Sequence, residues 1–365
     1  MIRRLLTTLA RVGISVGLIA YVFIRFIDLH DRPVCVVRAP EGEIVGEHVR
    51  EDAHGIVVRV GGAERSFPPG TRHEDRTAPG FLTLLAGIRP VPFAFFFLLN
   101  AVPIGFCALR WWLLLRDQSV PIPLREALRM YYVGVFLNNF FPGGVGGDLA
   151  RGVMAYRSTE NRRSRMVGTI VLDRLIGLIS LAAMSALAGA AAYDRPEYWI
   201  PSVVIWAMLG MVAVGYAVYF NAAVRRSGFG RWIKDRLPAR EALAEIDAVF
   251  QSFRSNPRLI GVELLLSVIA QSLAIVCLWG FALSMGIREA GPADYFTFFP
   301  IVAILTAIPI SFGGWGFGEV NFQYFFGFAG MPPGSAVALS ILFRTAGMLV
   351  TLPAAFFMTQ QQKSS

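Results

Sequence analysis

Residues 141–152 read FPGGVGGDLARG, and residues 311–322 read SFGGWGFGEVNF. Each stretch is a glycine-rich segment followed by one acid, Asp148 in the first and Glu319 in the second, 171 positions apart. Both stretches lie among hydrophobic residues. The repetition of one motif at such a distance indicates two related halves within one chain.

An arginine follows each acid inside a hydrophobic run. Arg174 comes 26 residues after Asp148, and Arg344 comes 25 residues after Glu319. Ionisable groups are expensive inside a membrane, so residues of this kind mark a candidate functional site.

The composition predicts a membrane protein that crosses the bilayer several times. Of the 365 residues, 55% are hydrophobic and only 16% are charged, and the mean hydropathy is +0.54. An ordinary soluble domain is less apolar than this. Most of the uncharged runs approach or exceed the roughly 20 residues that cross a bilayer as a helix. These runs are Val91–Leu109, Leu175–Tyr193, Tyr198–Val224, Leu264–Ile287, Tyr295–Gly318, Val320–Phe343 and Thr345–Gln362.

The amino end combines basic residues with an apolar run, as in a signal sequence, but no small-x-small cleavage motif follows closely. We predict that residues 1–30 form an uncleaved first transmembrane helix. Because basic residues near helix ends favour the cytoplasmic side, Arg3, Arg4 and Arg11 predict a cytoplasmic amino terminus.

Two later segments rich in arginine support this orientation. Residues 151–165 carry five arginines and one acid, and residues 225–258 carry eight basic residues and four acids. Both segments are therefore predicted to be cytoplasmic. The net charge of +9 is then an orientation signal, and it does not indicate a nucleic-acid partner. The amphipathic stretch at about 238–254 is predicted to lie on the cytoplasmic membrane surface.

The predicted fold class is an all-α polytopic membrane protein with about six full spans and two opposed re-entrant hairpins. Residues 124–150 and 295–330 must each enter and leave on one face to keep the orientation consistent. The halves at about 92–193 and 259–358 then form an inverted repeat within a domain of residues 90–365, as in many transporters.

Residues 31–89 interrupt this pattern. They contain eight arginines and nine acids, with the short β-like runs VCVVRA and GIVVRV. We predict a small extracytoplasmic β element, whose function the sequence leaves open.

The glycines of the two motifs allow non-helical backbone inside the membrane where protein or a watery cavity satisfies it. An alternative stays open, in which small residues only let helices pack closely. The predicted hairpin glycines are Gly143, Gly144, Gly146, Gly147, Gly313, Gly314, Gly316 and Gly318.

A short helix is predicted to begin at each acid, and the positive end of its dipole would attract an anion. That anion is either the acid itself, paired with its arginine, or a ligand phosphate or carboxylate, and both roles stay open. The candidate substrate-binding residues are Arg174, Arg344, Asp148, Glu319, Asn138, Asn139 and Arg151.

Four further polar residues receive lesser roles. Asp173 is interpreted as a salt-bridge partner at the cytoplasmic end of its helix, and Glu263 as an interfacial residue. Gln323 and Tyr324 lie in the second returning helix, and the sequence leaves open whether they face the same cavity.

The sequence contains no recognisable catalytic motif. Cys35, Cys107 and Cys277 are far apart, and the four histidines, His30, His48, His54 and His73, share no short spacing. We therefore expect no metal site and no cofactor, and no phosphate-binding loop indicates nucleotide use. The protein is not expected to be an enzyme.

The motifs NNFFPGGVGGDLARG, VLDRLIGL around Arg174, IPISFGGWGFGE and ILFRTAG around Arg344 resemble a known family. This family is the flippase-like transmembrane domain of lysylphosphatidylglycerol synthases and its stand-alone relatives. The resemblance covers roughly residues 92–358. It implies a cytoplasmic (inner) membrane protein that moves lipids or lipid-linked head groups between leaflets, with the family's acids and arginines at the four positions above. A soluble aminoacyl-transfer domain is not expected, so lysylation of a lipid is not expected either.

Three functional hypotheses follow. The leading one is a translocator of membrane lipids with anionic head groups. The first alternative is a proton-coupled transporter of a soluble anion, and the second is a membrane-embedded transferase acting on lipid-linked substrates. The sequence does not indicate the oligomeric state.

Overall fold

The structure is a computed structural model that describes most of the chain. The described residues are 30–39, 42–52, 55–60, 63–139, 146–158, 163–191, 198–220, 240–308, 311 and 314–354, with Gly17, Ala20, Tyr21 and Ile24. Most of the predicted first helix lies outside them, as do Gly143, Gly144 and Gly313, His54, and parts of both basic segments.

A five-stranded antiparallel sheet occupies the insert between the first apolar segment and the helices. The two β-like runs of the sequence are its strands β1 and β3. The strands lie in the order β4-β3-β2-β1-β5. Their bounds are β1 Arg32–Ala39, β2 Gly42–Asp52, β3 Gly55–Val60, β4 Ala63–Phe67 and β5 His73–Ala78.

One face of this sheet carries a small apolar core. Cys35, Val37, Ile56 and Val58 are buried there, with Phe67 packed against them. Side chains in a strand alternate between the two faces, which explains why every second residue of β1 and β3 is in this cluster.

Helices make up almost all of the rest of the described chain. In order they are α1 Phe81–Ala86, α2 Pro90–Leu99, α3 Val102–Asp117, α4 Leu124–Asn138, α5 Gly146–Ser158, α6 Arg163–Ala191, α7 Trp199–Phe220, α8 Arg240–Ser255, α9 Pro257–Ser284, α10 Pro292–Thr306, α11 Phe317–Gly327 and α12 Pro333–Thr351.

Four of the described helical segments are long and apolar enough to cross a membrane. They are Pro90–Asp117, Ser164–Ala191, Pro257–Ser284 and Pro333–Thr351. Two shorter apolar helices lie at Pro201–Gly215 and Pro292–Thr306. A helix satisfies its own backbone hydrogen bonds, which is the condition for exposure to lipid. The protein is thus a mostly helical membrane protein, while the six spans, the hairpins and the inverted repeat stay predictions.

The helices of the carboxyl half pack around an aromatic core. Phe281, Phe298 and Phe326 are fully buried there. Phe322 stacks on Phe326 with ring centroids 4.7 Å apart and an angle of 10° between the rings. This core joins α9, α10 and α11, which follow one another in the chain.

Helix α8 is the amphipathic stretch of the sequence, but its apolar side contacts protein. Val249 is buried in a cluster with Leu114, Leu172 and Ile176 of α3 and α6. A side chain at Gly168 of α6 would come within 3.0 Å of Val249. Helix α8 therefore packs with its apolar side against α3 and α6.

Candidate functional site: a charged cavity among the helices

Asp148 lies in the first turn of α5 and binds two arginines. The helix begins at Gly146, two residues earlier than predicted. One oxygen of Asp148 accepts a hydrogen bond from Arg151 in the next turn. The other accepts one from Nε of Arg174 on α6, at 2.5 Å. The structure thus brings together the first acid and arginine that the sequence singled out.

Asp173, the neighbour of Arg174, is the buried centre of this network. Its side chain is 2% exposed. Arg110 donates to Oδ1 from Nε at 2.9 Å, and Arg151 donates to Oδ2 at 3.2 Å. Tyr131 also donates to Oδ2, at 3.4 Å. The interpretation of Asp173 as a salt-bridge partner at a helix end was therefore wrong in its location, because the residue lies inside the bundle.

Aromatic rings complete the environment of Arg151. Its guanidinium carbon lies 4.4 Å from the ring centroid of Tyr131 and 5.1 Å from that of Trp111. A cation close to an aromatic face is attracted by the ring quadrupole. Arg151 is buried, and two carboxylates and two rings hold it in place.

Helices α4 and α5 meet through two glycines. A Cβ added at Gly147 would lie 1.8 Å from the backbone oxygen of Gly134, so no side chain fits there. The side-chain oxygen of Asn138 accepts a hydrogen bond from the backbone N–H of Gly147 at 2.7 Å. Asn138 thus satisfies a backbone donor at the start of α5, which would otherwise lack a helical partner.

A cavity of about 240 Å³ lies beside this network. Five charged side chains line it, three arginines and two aspartates, and their formal charges sum to +1. Part of the remaining wall is apolar, with Leu178, Leu181, Ala303 and Ala307. The other lining residues are Cys107, Arg110, Tyr131, Gly134, Val135, Asn138, Asp148, Arg151, Asp173, Arg174, Gly177 and Gln271.

The second motif forms its own ion pair, which is not part of the cavity lining. Nε of Arg344 lies 3.1 Å from Oε1 of Glu319, which is 2% exposed. The other oxygen of Glu319 accepts from the backbone N–H of Gly316 at 2.6 Å. Helix α11 begins at Phe317, so Glu319 lies in its first turn and reaches back to cap it. Arg344 also lies over the ring of Trp315, 5.5 Å from its centroid.

Glycine is favoured around this second pair for two reasons. Gly314 and Gly316 have φ of +76° and +77°, which favour glycine. A Cβ at Gly318 would lie 1.8 Å from the guanidinium of Arg344. The segment before α11 therefore lets Arg344 approach the start of the helix.

Other predicted residues lie elsewhere. Asn139 donates to the backbone oxygen of Val135 at 3.3 Å and is outside the cavity lining. Tyr324 is 54% exposed and packs edge-on against Phe325 and Phe328. Neither residue contributes to the charged cavity.

Glu263, which the sequence analysis interprets as interfacial, is buried within the protein. It is 0% exposed on α9, and among the described residues neither carboxylate oxygen has a hydrogen-bond partner. Ser267, one turn further along, accepts from Nη1 of Arg110. Glu263 and Ser267 thus lie on the same helix, α9, and Ser267 contacts the arginine of the Arg110–Asp173 pair.

Sequence reasoning missed Arg110 and Tyr131 as site residues. Neither residue is among the candidate residues of the sequence. A signal existed, because Arg110 stands among apolar residues of a 28-residue helical segment, where a charge requires a partner. Tyr131 carried no signal, since nothing in the sequence distinguishes it from its neighbour Tyr132.

Comparison with known proteins places most of the helical region in one family. The lysylphosphatidylglycerol synthase TM region matches residues 78–355. A UPF0104 membrane protein of Pyrococcus horikoshii is 25% identical over 109 residues, which are 29% of this chain and 32% of that protein. The chain thus aligns with about a third of the length of this relative. Because the family match covers well over half of the chain, the protein belongs to the family of the lysylphosphatidylglycerol synthase TM region.

Proposed function

We propose that the protein is a lipid translocator that binds an anionic head group in the charged cavity and moves it between leaflets. The observation that carries this proposal is the net charge of +1 on the five charged residues that line the cavity. An anion entering the cavity would compensate that charge. Its family suggests a membrane protein involved in lipid modification or translocation.

Arg174 is the residue that we expect to receive the ligand. Its side chain is 33% exposed, compared with 4% for Arg110 and 5% for Arg151. Its partner Asp148 is shared with Arg151, so a phosphate group can take over Arg174 while Asp148 keeps a cation. Arginine presents a planar fork of donors that suits phosphate and carboxylate oxygens.

The size and lining of the cavity favour a head group over a whole soluble ligand. Its volume of about 240 Å³ is below the roughly 300–1,000 Å³ of pockets that enclose a drug-sized molecule. An apolar wall borders the charged residues. We infer that the head group occupies the charged part while the acyl tails stay in the lipid.

We also propose the topology that such a function needs. In it, about six spans and two opposed hairpins form the inverted repeat. The amino terminus is cytoplasmic, the sheet is extracytoplasmic, and the chain resides in the inner membrane. Nucleotide hydrolysis and covalent catalysis have no part in this scheme.

The test is leaflet exchange in reconstituted liposomes. Purified protein is reconstituted with head-group-labelled anionic, zwitterionic or polyprenyl-phosphate lipids, and the label accessible from outside is followed over time. We expect faster exchange of an anionic lipid with wild-type protein than in empty liposomes. Arg174→Gln should slow that exchange at least about tenfold, which corresponds to losing about 1.4 kcal/mol of interaction.

Arg125→Gln is the matched control, because Arg125 is exposed on α4 and lies outside the cavity lining. Exchange at the rate of empty liposomes for all lipids would reject the translocator. Equal rates for Arg174→Gln and wild type would reject the site. Uptake of a soluble anion driven by a pH gradient would favour the transporter alternative, and donor-dependent product formation would favour the transferase.

A further inference from the structure

Three side chains that commonly bind metal ions meet on one face of the β-sheet. They are Cys35 on β1, His48 on β2 and Asp75 on β5. One ligand atom from each residue lies within 4.8 Å of those of the other two. None of these residues belongs to the helical region that matches the family.

The strand register explains the meeting. Cys35 lies directly opposite Asp75 on one side and Gly46 on the other. His48 follows Gly46 by two residues, so its side chain emerges on the same face as that of Cys35. Three neighbouring strands thus place a thiol, an imidazole and a carboxylate together.

The cluster of Cys35, His48 and Asp75 is buried on one side and accessible to solvent on the other. The Cys35 side chain is buried, while the side chains of His48 and Asp75 are 30% and 61% exposed. Nδ1 of His48 lies 3.2 Å from Oδ2 of Asp75. A groove of about 380 Å³, lined by Pro33, Val34 and Val49, reaches two of the three side chains, those of His48 and Asp75.

We propose that Cys35, His48 and Asp75 bind a divalent transition-metal ion, for which zinc is the best match. Zinc accepts sulfur, nitrogen and oxygen ligands at roughly 2.0–2.3 Å, so its tetrahedral ligand atoms lie roughly 3.3–3.8 Å apart. The His48–Asp75 distance is already close to this range, and the thiol needs to approach by about 1 Å. Calcium and magnesium prefer oxygen ligands and do not suit a thiol and an imidazole.

A second group of residues surrounds the three ligands. His73, two residues before Asp75, emerges on the same face, and its ring centroid lies 6.0 Å from that of His48. Nε2 of His73 lies 3.5 Å from a carboxylate oxygen of Glu51. His73 thus lies beside His48, with Glu51 next to it, and we expect water to supply the fourth ligand of the ion.

The thiol of Cys35 lies on the buried side of the cluster, among apolar side chains. Burial raises the pKa of the Cys35 thiol to about 11, and the hydrogen bond with Asp75 adds to this effect. A bound ion would replace the thiol proton, as metal ions do at cysteine ligands.

The experiment measures binding to the full-length protein purified in detergent. Wild type is dialysed against Zn²⁺ and its zinc content determined, and Co²⁺ is then titrated while the thiolate-to-cobalt charge-transfer band is recorded. Cys35→Ser, His48→Gln and Asp75→Asn are compared with Cys277→Ser and His30→Gln, which change the same residue types outside the cluster. Circular dichroism checks that each variant keeps its fold.

We expect one zinc per chain and a Co²⁺ band in wild type and in both controls. Each cluster variant should weaken zinc binding by about tenfold or more, and Cys35→Ser should also abolish the band. If the partly exposed His48→Gln variant is folded and binds zinc like wild type, the proposal is wrong. The proposal is also wrong if the wild-type protein retains less than about half a zinc ion per chain after dialysis. Lipid exchange in liposomes plays no part in this test.

Discussion

Asp173 holds two buried arginines by one carboxylate, and this makes it the residue on which the charged cavity depends. Arg110 and Arg151 approach it from α3 and α5, while Asp173 itself is on α6. Three helices are therefore joined by a single side chain. Removal of one partner from a buried ion pair leaves an uncompensated charge, which costs more than the pair itself contributes.

We predict that Asp173→Asn destabilises the protein by about 3–5 kcal/mol, because the buried Arg110 loses its charged partner and Arg151 keeps only Asp148. The measurement is thermal unfolding in detergent, followed by size-exclusion chromatography of the heated samples. Glu126→Gln is the control, since Glu126 contacts Arg129 at 3.8 Å in a pair with side chains 30% and 22% exposed. That change should cost at most about 1 kcal/mol. Equal losses in the two variants would contradict the central position of Asp173.

The surroundings of single residues also explain which parts of the site could be predicted from the sequence. Asp148 and Arg174 were found because each is a charge beside or within an apolar segment, and the structure joins them. Asp173 was underestimated because neighbours on a helix point about 100° apart, so the sequence cannot decide which of two adjacent residues faces inward. Cys35, His48 and Asp75 were missed because their separation along the chain says nothing about strand register.

At the scale of elements, the glycines of the two motifs have different structural roles despite their similar sequences. In the first, Gly134 and Gly147 bring α4 and α5 together backbone against backbone. In the second, Gly318 makes room for the guanidinium of Arg344. The sequence indicated two equivalent pairs, whereas the cavity is lined by the first pair alone among the described residues. Side-chain neighbours, which a motif does not encode, cause this difference.

This contrast predicts different tolerance to a methyl group. We expect Gly147→Ala to destabilise the protein by about 1–3 kcal/mol or more, because its Cβ would meet backbone that cannot rotate away. Gly318→Ala should cost less, since the nearest obstacle is the flexible end of Arg344.

Gly105→Ala is the control, because nothing lies within 4 Å of its Cβ position inside α3. It should be neutral or stabilising by about 0.5–1 kcal/mol. Unfolding midpoints of the three variants give the order, and a Gly147→Ala protein as stable as the control would contradict the backbone contact.

At the scale of the whole molecule, hydropathy was sufficient to predict a helical membrane protein, and the two β-like runs were sufficient to place strands in the insert. The number of spans is harder to predict. Pro90–Asp117 is one apolar segment that the structure divides at Asn100 and Ala101 into α2 and α3. Helix α10 has only 15 residues, about 22 Å at 1.5 Å per residue, which is short of a 30 Å hydrocarbon core. Length alone therefore leaves the depth of such helices undecided.

The predicted orientation can be tested at two exposed positions. The proposed topology places Ser255, at the end of the second basic segment, in the cytoplasm and Arg288, between α9 and α10, outside. We predict that Arg288→Cys is labelled by a membrane-impermeant maleimide in intact cells and that Ser255→Cys is labelled only after permeabilisation. Both are made in a background with the three native cysteines replaced by serine, and this background without an added cysteine is the control.

Labelling of Ser255→Cys but not Arg288→Cys in intact cells would invert the topology, because basic segments would then lie outside. Labelling of both from one side would require α9 to begin and end on the same face, which its 28 residues, about 42 Å of helix, make costly in a bilayer.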